Sequence, residues 1–261
     1  MSKRKKKVLV LRVNDKNGRA YYNGFQYPLK TRTWVEAPDW KPTKECGNGL
    51  HGFLYGEGDG RLANWKYDDL WYVLSVNEDE LIILGEDKVK YKKGYVLYIG
   101  NRKDAADYIY KRTKGKKVIG GICVDNKNAI SGYRGISLSE ENSSSGKEGI
   151  SITNGCKGAS NSNDNGVSLA TGLGSESNSL DYGISVTLYN GKSTSKNFGT
   201  SIGFEGCVVK SGLRGNIILQ YYDPKSGFYR FATAFVDGIK IKPDTWYKVN
   251  DKGEFYEYNE R

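Results

Sequence analysis

The chain has 261 residues and a net charge of +10 at pH 7, and 38% of its residues are hydrophobic and 27% charged. It has no uninterrupted apolar stretch of the roughly 18 residues that a membrane helix needs, and one histidine, His51, is too few for a His-rich metal cage. The 33 glycines, 20 tyrosines and single methionine favour a mainly β protein over a helical enzyme.

The basic start of the chain, residues 1–7, lacks the apolar core of a signal peptide, which predicts a cytoplasmic location without membrane association. The four cysteines (Cys46, Cys123, Cys156 and Cys207) are far apart and form no C-x-x-C pair. Their spacing is typical neither of a disulfide framework nor of a zinc site. We expect no metal and no cofactor.

Residues 1–118 are predicted to form a basic, mixed α+β domain. Strand-like runs lie at Val8–Val13, Thr33–Glu36, Leu50–Tyr55, Leu70–Val76, Leu81–Leu84 and Tyr95–Ile99. One helix is expected from Arg102 to about Lys111, with Asn101 as its N-cap and Ala105, Tyr108 and Ile109 as its buried stripe.

A glycine-rich run at residues 45–60 surrounds His51 and offers close backbone approach to a ligand. The predicted ligand-binding residues are Gly47, Gly49, His51, Glu57 and Asp59. Of these, His51 and Glu57 are also candidates for acid–base catalysis. The alternative is a tight glycine-rich hairpin in which His51 has a structural hydrogen bond.

Nine of the ten net positive charges lie within residues 1–125. The residues predicted to contact an acidic partner, either a protein or nucleic acid, are Lys5, Lys6, Lys7, Lys111, Arg112, Lys114, Lys116 and Lys117. A solvated face that only aids solubility is the alternative.

The middle of the chain contains an internal repeat. Its units begin 14 to 17 residues apart, at Gly121, Gly135, Gly149, Gly166, Gly183, Gly199 and Gly215. After most of these glycines an aliphatic residue, a serine and a second aliphatic residue follow, an alternation that is typical of short strands with two different faces. Residues 119–217 are therefore predicted to form a parallel β-solenoid of about seven rungs that could also join copies of the chain, with a disordered Ser/Gly-rich linker as the alternative.

The direction of the two faces is a separate prediction. We expect the aliphatic residues Ile152, Leu169, Val186 and Ile202 to lie in the core, and Ser151, Ser168, Ser185 and Ser201 to lie outside. On this expectation, Val186→Asp would bury a charge and abolish cooperative folding.

Residues 218–261 are predicted to cap the solenoid, because an unpaired last rung would promote aggregation. The aromatic runs at 217–221 and 228–232 are joined by the turn sequence at 223–227, which predicts a hairpin. The fold class predicted for the whole chain is thus mainly β: a mixed α+β domain, a parallel β-solenoid and a C-terminal β cap.

Two resemblances accompany these predictions. The repeats resemble the parallel β-roll of trimeric autotransporter heads, which implies the architecture alone. The runs at 22–28, 35–40, 46–52 and 56–60, together with the tail at 237–247, resemble an uncharacterised module of phage and bacterial proteins that is often paired with glycine-rich repeats. This second resemblance implies a phage origin and lends no catalytic residues.

Three functions follow as expectations. The first is a phage-encoded, non-enzymatic binding or scaffold protein that inhibits a host defence or nucleic-acid machine in the host cytoplasm through its basic first domain. The second is an enzyme on that domain that resembles ADP-ribosyltransferases through Gly49, Leu50 and His51, or that processes nucleotides. The third is a structural part of a virion or of a surface.

Overall fold

The computed structural model describes residues 6–85, 88–113 and 115–259 of the chain. The chain divides into two compact units, Met1–Ile122 and Cys123–Arg261. Both are built mainly of β-strands, and the predicted fold class is confirmed. Within the described residues, no helix is long and apolar enough to cross a membrane.

The first unit is built on one antiparallel sheet of seven strands. The strands are β1 (Lys7–Asn14), β2 (Trp34–Glu36), β3 (Leu50–Leu54), β4 (Leu70–Asn77), β5 (Ile82–Gly85), β6 (Lys88–Tyr91) and β7 (Lys93–Gly100). Their order in the sheet is β2-β7-β4-β1-β3-β6-β5. Two 3-10 turns, Gly60–Leu62 and Glu78–Glu80, flank β4 in sequence. All of these strands except β6 were predicted from the sequence. Strand β6 was missed because lysines alternate with its two apolar residues, and the segment therefore resembles a charged, exposed loop.

The helix of the first unit, α1, spans Arg102–Tyr110. Asn101 is its N-cap, because the side chain of Asn101 accepts a hydrogen bond from the backbone N–H of Asp104 at 2.9 Å. Ala105 and Ile109 are buried as predicted, whereas Tyr108 is only partly buried and Ala106 is buried as well. The core of the sheet centres on buried aliphatic and tyrosine side chains such as Val10, Leu74, Tyr27, Tyr72 and Tyr91.

The second unit contains the solenoid, in which each coil contributes one strand to each of two parallel sheets. The first sheet contains β8 (Ile122–Val124), β10 (Ile136–Ser139), β12 (Ile150–Thr153), β14 (Val167–Leu173), β16 (Ile184–Tyr189), β18 (Thr200–Gly203) and β20 (Asn216–Asp223). The second contains β9 (Asn128–Ile130), β11 (Asn142–Ser145), β13 (Ala159–Ser162), β15 (Glu176–Ser179), β17 (Lys192–Thr194) and β19 (Val208–Lys210). Each glycine that begins a repeat unit directly precedes one strand of the first sheet. The solenoid has about six turns.

Equivalent residues of successive coils pair with one another in register. Ser151 pairs with Ser168, Ser168 with Ser185 and Ser185 with Ser201 in the parallel register of the first sheet. Residues at the same distance from the repeated glycine are therefore the ones that pair in neighbouring strands. Each rung adds about 4.8 Å to the stack.

The prediction of which face lies inside was wrong. Ser151, Ser168, Ser185 and Ser201 are completely buried, whereas the aliphatic residues point outward and are partly exposed. The reason is that the two sheets approach closely enough for their serine hydroxyls to bond directly: Ser168 Oγ lies 2.9 Å from Ser160 Oγ. An interior this narrow has no room for facing rows of isoleucine and leucine.

One row of buried serine hydroxyls forms a chain that crosses from one sheet to the other. Ser185 Oγ donates to the carbonyl oxygen of Ser177 at 2.6 Å, and Ser193 Oγ donates to the carbonyl oxygen of Ser185 at 2.8 Å. Ser177 Oγ in turn donates to the carbonyl oxygen of Ser168 at 2.8 Å. These bonds satisfy polar groups that would otherwise be costly to bury. A second buried row has hydroxyls without a hydrogen-bond partner among the described residues, and these include Ser162, Ser179 and Thr187.

Glycine precedes the strands of the first sheet, and a side chain has no room at five of these positions, Gly149, Gly166, Gly183, Gly199 and Gly215. A Cβ atom on Gly183 would lie 2.6 Å from the Cβ of Ser179, and one on Gly166 would lie 2.7 Å from the Cβ of Ser162. The left-handed conformation falls on the residue before the glycine instead. The corner row, which has φ between 51° and 59°, consists of Arg134, Glu148, Asn165, Tyr182, Phe198 and Arg214.

The C-terminal segment caps the solenoid as predicted. Strand β21 (Phe228–Phe235) pairs antiparallel with β20 in a hairpin, and β22 (Tyr247–Val249) pairs antiparallel with β19 and with β23 (Phe255–Glu257). The last coil changes from a serine interior to an apolar one, with Val209, Ile217, Leu219, Val236 and Tyr247 buried together.

Candidate functional site

The glycine-rich loop of the first unit covers a buried lysine. Lys90 of β6 is completely buried, and its ammonium donates to the carbonyl oxygen of Glu45 at 2.8 Å. Gly49 lies against this lysine and Trp40, since a Cβ atom there would come within 2.9 Å of Lys90 Cγ and 3.0 Å of Trp40 Cε3. Gly47 has a positive φ of 98° and open space around it. Lys90 was not predicted from the sequence, because a lysine in a short charged run is usually exposed to solvent.

His51 accepts a hydrogen bond in this loop. The backbone N–H of Gly47 donates to His51 Nε2 at 3.4 Å, which requires that nitrogen to be unprotonated. Burial and the neighbouring cations Lys88, Arg12 and Lys90 lower the pKa of His51 to about 4. His51 is therefore neutral at pH 7 and holds the loop as an acceptor, which matches the structural alternative for this residue.

We expect His51 to make the protein less stable in acid. The unfolded chain, in which the histidine has its ordinary pKa of 6.5, takes up the proton first as the pH falls, so the free energy of unfolding decreases between about pH 6.5 and 4. Urea unfolding at about pH 7 and about pH 4.5 should therefore show a larger loss for the wild type than for His51→Gln. Equal losses in the two proteins would contradict the lowered pKa.

The two acidic residues of the loop have structural partners. Glu57 accepts from the ammonium of Lys116 at 2.9 Å and from the backbone N–H of Lys117 at 2.8 Å. Asp59 caps the 3-10 turn at Gly60–Leu62 by accepting from the backbone N–H of Arg61 at 3.0 Å. The structure thus gives His51, Glu57 and Asp59 separate partners.

The predicted basic residues converge only in part. Lys7, Arg112 and Lys116 line one open cavity of about 480 Å³ in the first unit, together with Leu9 and Tyr55. Lys6 instead pairs with Glu78 at 2.7 Å. The side chains of Lys111 and Lys117 are exposed and do not line the cavity. Lys5 and Lys114 lie outside the described residues.

The solenoid has a second candidate surface, formed by aliphatic residues that were predicted from the sequence to lie in the core. We call it the aliphatic face: the outward side chains of the first sheet, in one row of Ile136, Ile150, Val167 and Ile184 and a second row of Leu138, Ile152, Leu169, Val186 and Ile202. Ile150 is 38% exposed and Ile184 42%. Their strict pairing register makes each row a regular array along the stack.

The outward side of the second sheet is polar. Its rows contain Asn142, Ala159, Glu176 and Lys192 beside Ser144, Asn161, Asn178 and Thr194. Asn178 Nδ2 donates to Asn161 Oδ1 at 3.1 Å, so neighbouring rungs also bond through their side chains. The two sides of the solenoid thus differ in chemistry while they share one spacing.

Metal-binding chemistry is not indicated in the described part of the chain, where no three His, Cys, Asp or Glu side chains cluster in a way that could hold an ion. All four cysteines have free thiols; Cys123 and Cys207 are buried, and Cys46 and Cys156 are exposed.

The fold defines the second unit as a parallel β-solenoid repeat structure, and comparison with known proteins gives relatives for a segment of 104 residues. The chain is 38% identical over 104 residues to an ice nucleation protein of Xanthomonas campestris pv. translucens and 35% identical over 104 residues to one of Pseudomonas fluorescens. It is 34% identical over 104 residues to the ice nucleation protein InaU of Pantoea ananas. Each match covers 40% of this chain.

The chain spans only 6% to 10% of the length of these three relatives. No family model matches the chain. No solved structure matches it. The comparisons thus support the solenoid repeats, and they do not support the phage module or its motifs.

These matches correct the leading functional prediction. The expectation of a phage-encoded inhibitor of a host defence was wrong, because the relatives are bacterial ice nucleation proteins. The cytoplasmic location inferred with it was wrong on the same finding. The first had rested on short motifs and lysine-rich composition, which have no defined geometry. The second had rested on the basic start of the chain, which lacks the apolar core of a signal peptide. The matches are nearer to the third expectation, a structural or surface protein.

Proposed function

We propose that the chain is a non-enzymatic structural protein whose solenoid orders water on its aliphatic face and promotes ice nucleation. The observation that supports this most is the register of the solenoid, in which chemically similar side chains repeat at one spacing along both rows of the aliphatic face. The similarity to ice nucleation proteins of three bacteria supports the same function.

The aliphatic face has the chemistry that this function needs. Apolar groups accept no hydrogen bonds, so the first layer of water must bond within itself and becomes orientationally restricted. The serine chain in the interior and the parallel backbone bonds keep the rows rigid, because Ser168, Ser185 and Ser193 each donate a hydrogen bond to the opposite sheet. A rigid, regular face imposes the same arrangement on water at each rung.

The length of the array sets the size of the expected effect. A crystal embryo must reach a critical size before it grows, and an array of about six turns supports only a small embryo. The matched segment is 6% to 10% of the length of the relatives. We therefore expect nucleation by this chain at a lower temperature than by those longer proteins, but above that of buffer.

Droplet freezing tests the proposal. Supercooled droplets that contain the wild-type chain should freeze at a higher temperature than droplets of buffer. The double variant Ile152→Lys/Val186→Lys interrupts one outward row at two alternate rungs and leaves the buried serines in place. Its droplets should freeze as buffer does.

The matched control places the same charges on the polar side of the solenoid, one coil before Ile152 and one coil before Val186. Ser144→Lys/Asn178→Lys also changes two outward positions that are separated by one rung. It should freeze droplets at the wild-type temperature, and circular dichroism should show that both variants are folded. A wild-type chain that freezes droplets no earlier than buffer, or equal loss in both folded variants, contradicts the proposal.

A further inference from the structure

We propose that the first unit binds a small phosphorylated ligand in the basic cavity, the concave site lined by Lys7, Leu9, Tyr55, Arg112, Thr113 and Lys116. Lys7 begins β1, whereas Arg112 and Lys116 follow α1 about a hundred residues later. The tertiary fold therefore brings together two basic segments that the sequence shows only as separate runs. This proposal is independent of the solenoid and its function.

The described lining of the cavity contains three cations and no carboxylate. Glu57 lies outside the lining, where its carboxylate binds both the ammonium of Lys116 and the backbone N–H of Lys117. Glu57 therefore fixes the segment that holds Lys116 and compensates one positive charge. Lys7 and Arg112 still give the cavity a positive potential that attracts an anion.

Arg112 is held in place before any ligand binds. Its Nη1 donates to the carbonyl oxygen of Tyr108 at 3.0 Å, and its guanidinium carbon lies 3.7 Å from the centre of the Tyr108 ring. A guanidinium has five N–H donors in a planar fork, of which this bond uses one. Arg112 lines the cavity, and a guanidinium held in this way suits the paired oxygens of a phosphate group.

The cavity also has an apolar wall that suits the organic part of a ligand. Tyr55 adopts a left-handed backbone conformation with φ of 53°, which is strained for a residue other than glycine. Its backbone N–H donates to the carbonyl oxygen of Leu9 at 2.8 Å, which holds the tyrosine beside β1. A volume of about 480 Å³ is in the range of pockets for small ligands.

The surroundings favour a compact anion over an extended nucleic acid. A polyanion binds along a stripe of cations, but two other described cations of this unit are paired with carboxylates. Lys6 pairs with Glu78 at 2.7 Å, and Lys103 pairs with Asp107 at 2.8 Å. These two described cations are thus compensated by carboxylates, whereas Lys7, Arg112 and Lys116 lie together at the cavity.

Calorimetric titration of the full chain with adenosine 5′-monophosphate, inorganic phosphate and adenosine tests the site. We expect the nucleotide and phosphate to bind in competition with each other, and adenosine to bind much more weakly. Arg112→Gln should weaken nucleotide binding by about tenfold or more, because it removes charge-assisted bonds to phosphate. Lys7→Gln should weaken it in the same direction.

Lys111→Gln is the matched control, because Lys111 is exposed, is adjacent to Arg112 in the chain and does not line the cavity. It should change nucleotide affinity by less than about twofold. The proposal fails if neither nucleotide nor phosphate binds, if adenosine binds as well as the nucleotide, or if Lys111→Gln weakens binding as much as Arg112→Gln. A single-stranded oligonucleotide that binds more tightly and depends equally on Lys111 and Arg112 would show a nucleic-acid surface instead. Thermal melting of each variant confirms that it is folded.

Discussion

Replacing Ser185 by aspartate should abolish cooperative folding of the solenoid. Ser185 is completely buried, and its hydroxyl bonds to the carbonyl oxygen of Ser177 at 2.6 Å and to Ser177 Oγ at 2.9 Å. An aspartate there would place a carboxylate among serine hydroxyls and backbone groups. The cost of burying an unpaired ion is several kcal/mol, which approaches the whole stability of a domain, about 5–15 kcal/mol. Urea unfolding followed by circular dichroism measures the effect.

Val186→Asp is the matched control, one residue further along the same strand. Val186 faces outward and is only partly buried, so the new carboxylate stays in contact with water. We expect this variant to retain a cooperative transition. Its free energy of unfolding should fall by about 1–2 kcal/mol, because aspartate has a lower strand propensity and buries less apolar surface than valine. If Val186→Asp unfolded the protein while Ser185→Asp preserved the transition, the aliphatic residues would have to be inside.

Gly172→Ala should destabilise the solenoid by about 3 kcal/mol, near the upper end of what overpacking costs. A Cβ atom on Gly172 would lie 1.9 Å from the carbonyl oxygen of Gly155 and 2.4 Å from its carbonyl carbon. Because both contacts are with the backbone of the preceding coil, no side chain can rotate away, and the two rungs must separate. The free energy of unfolding in urea gives the size of this loss.

Gly174→Ala, two residues away, distinguishes a steric clash from a general intolerance of alanine. Gly174 has a positive φ of 66°, but the nearest atom to a new Cβ would be 3.9 Å away. Its cost should be about 1 kcal/mol, that of the left-handed conformation alone. Equal losses in the two variants would contradict the close approach of Gly155 and Gly172.

Local sequence patterns predicted many elements because their causes are local. Asn101 and Asp104 defined the start of α1, and the turn at 223–227 predicted the hairpin of β20 and β21. Strand β6 was missed because its exposure depends on the loop at 41–49, which covers Lys90. The loop around His51 was predicted as a ligand site, which stays a prediction, and the bond from Gly47 is the kind of contact that the structural alternative requires.

The sequence by itself determined that the middle of the chain stacks in parallel coils, since a glycine at a fixed phase and a two-residue alternation specify both the strand and its register. Only the tertiary structure decided which face lies inside. Alternation distinguishes two faces without stating their direction, and the direction depends on the space between two sheets that a single repeat cannot show. In this protein the space is narrow, so serines that bond across it fill the interior, and the larger aliphatic side chains remain outside. The tertiary structure likewise brought Lys7 to Arg112 and Lys116, because contacts between distant segments depend on how the sheet and α1 pack together.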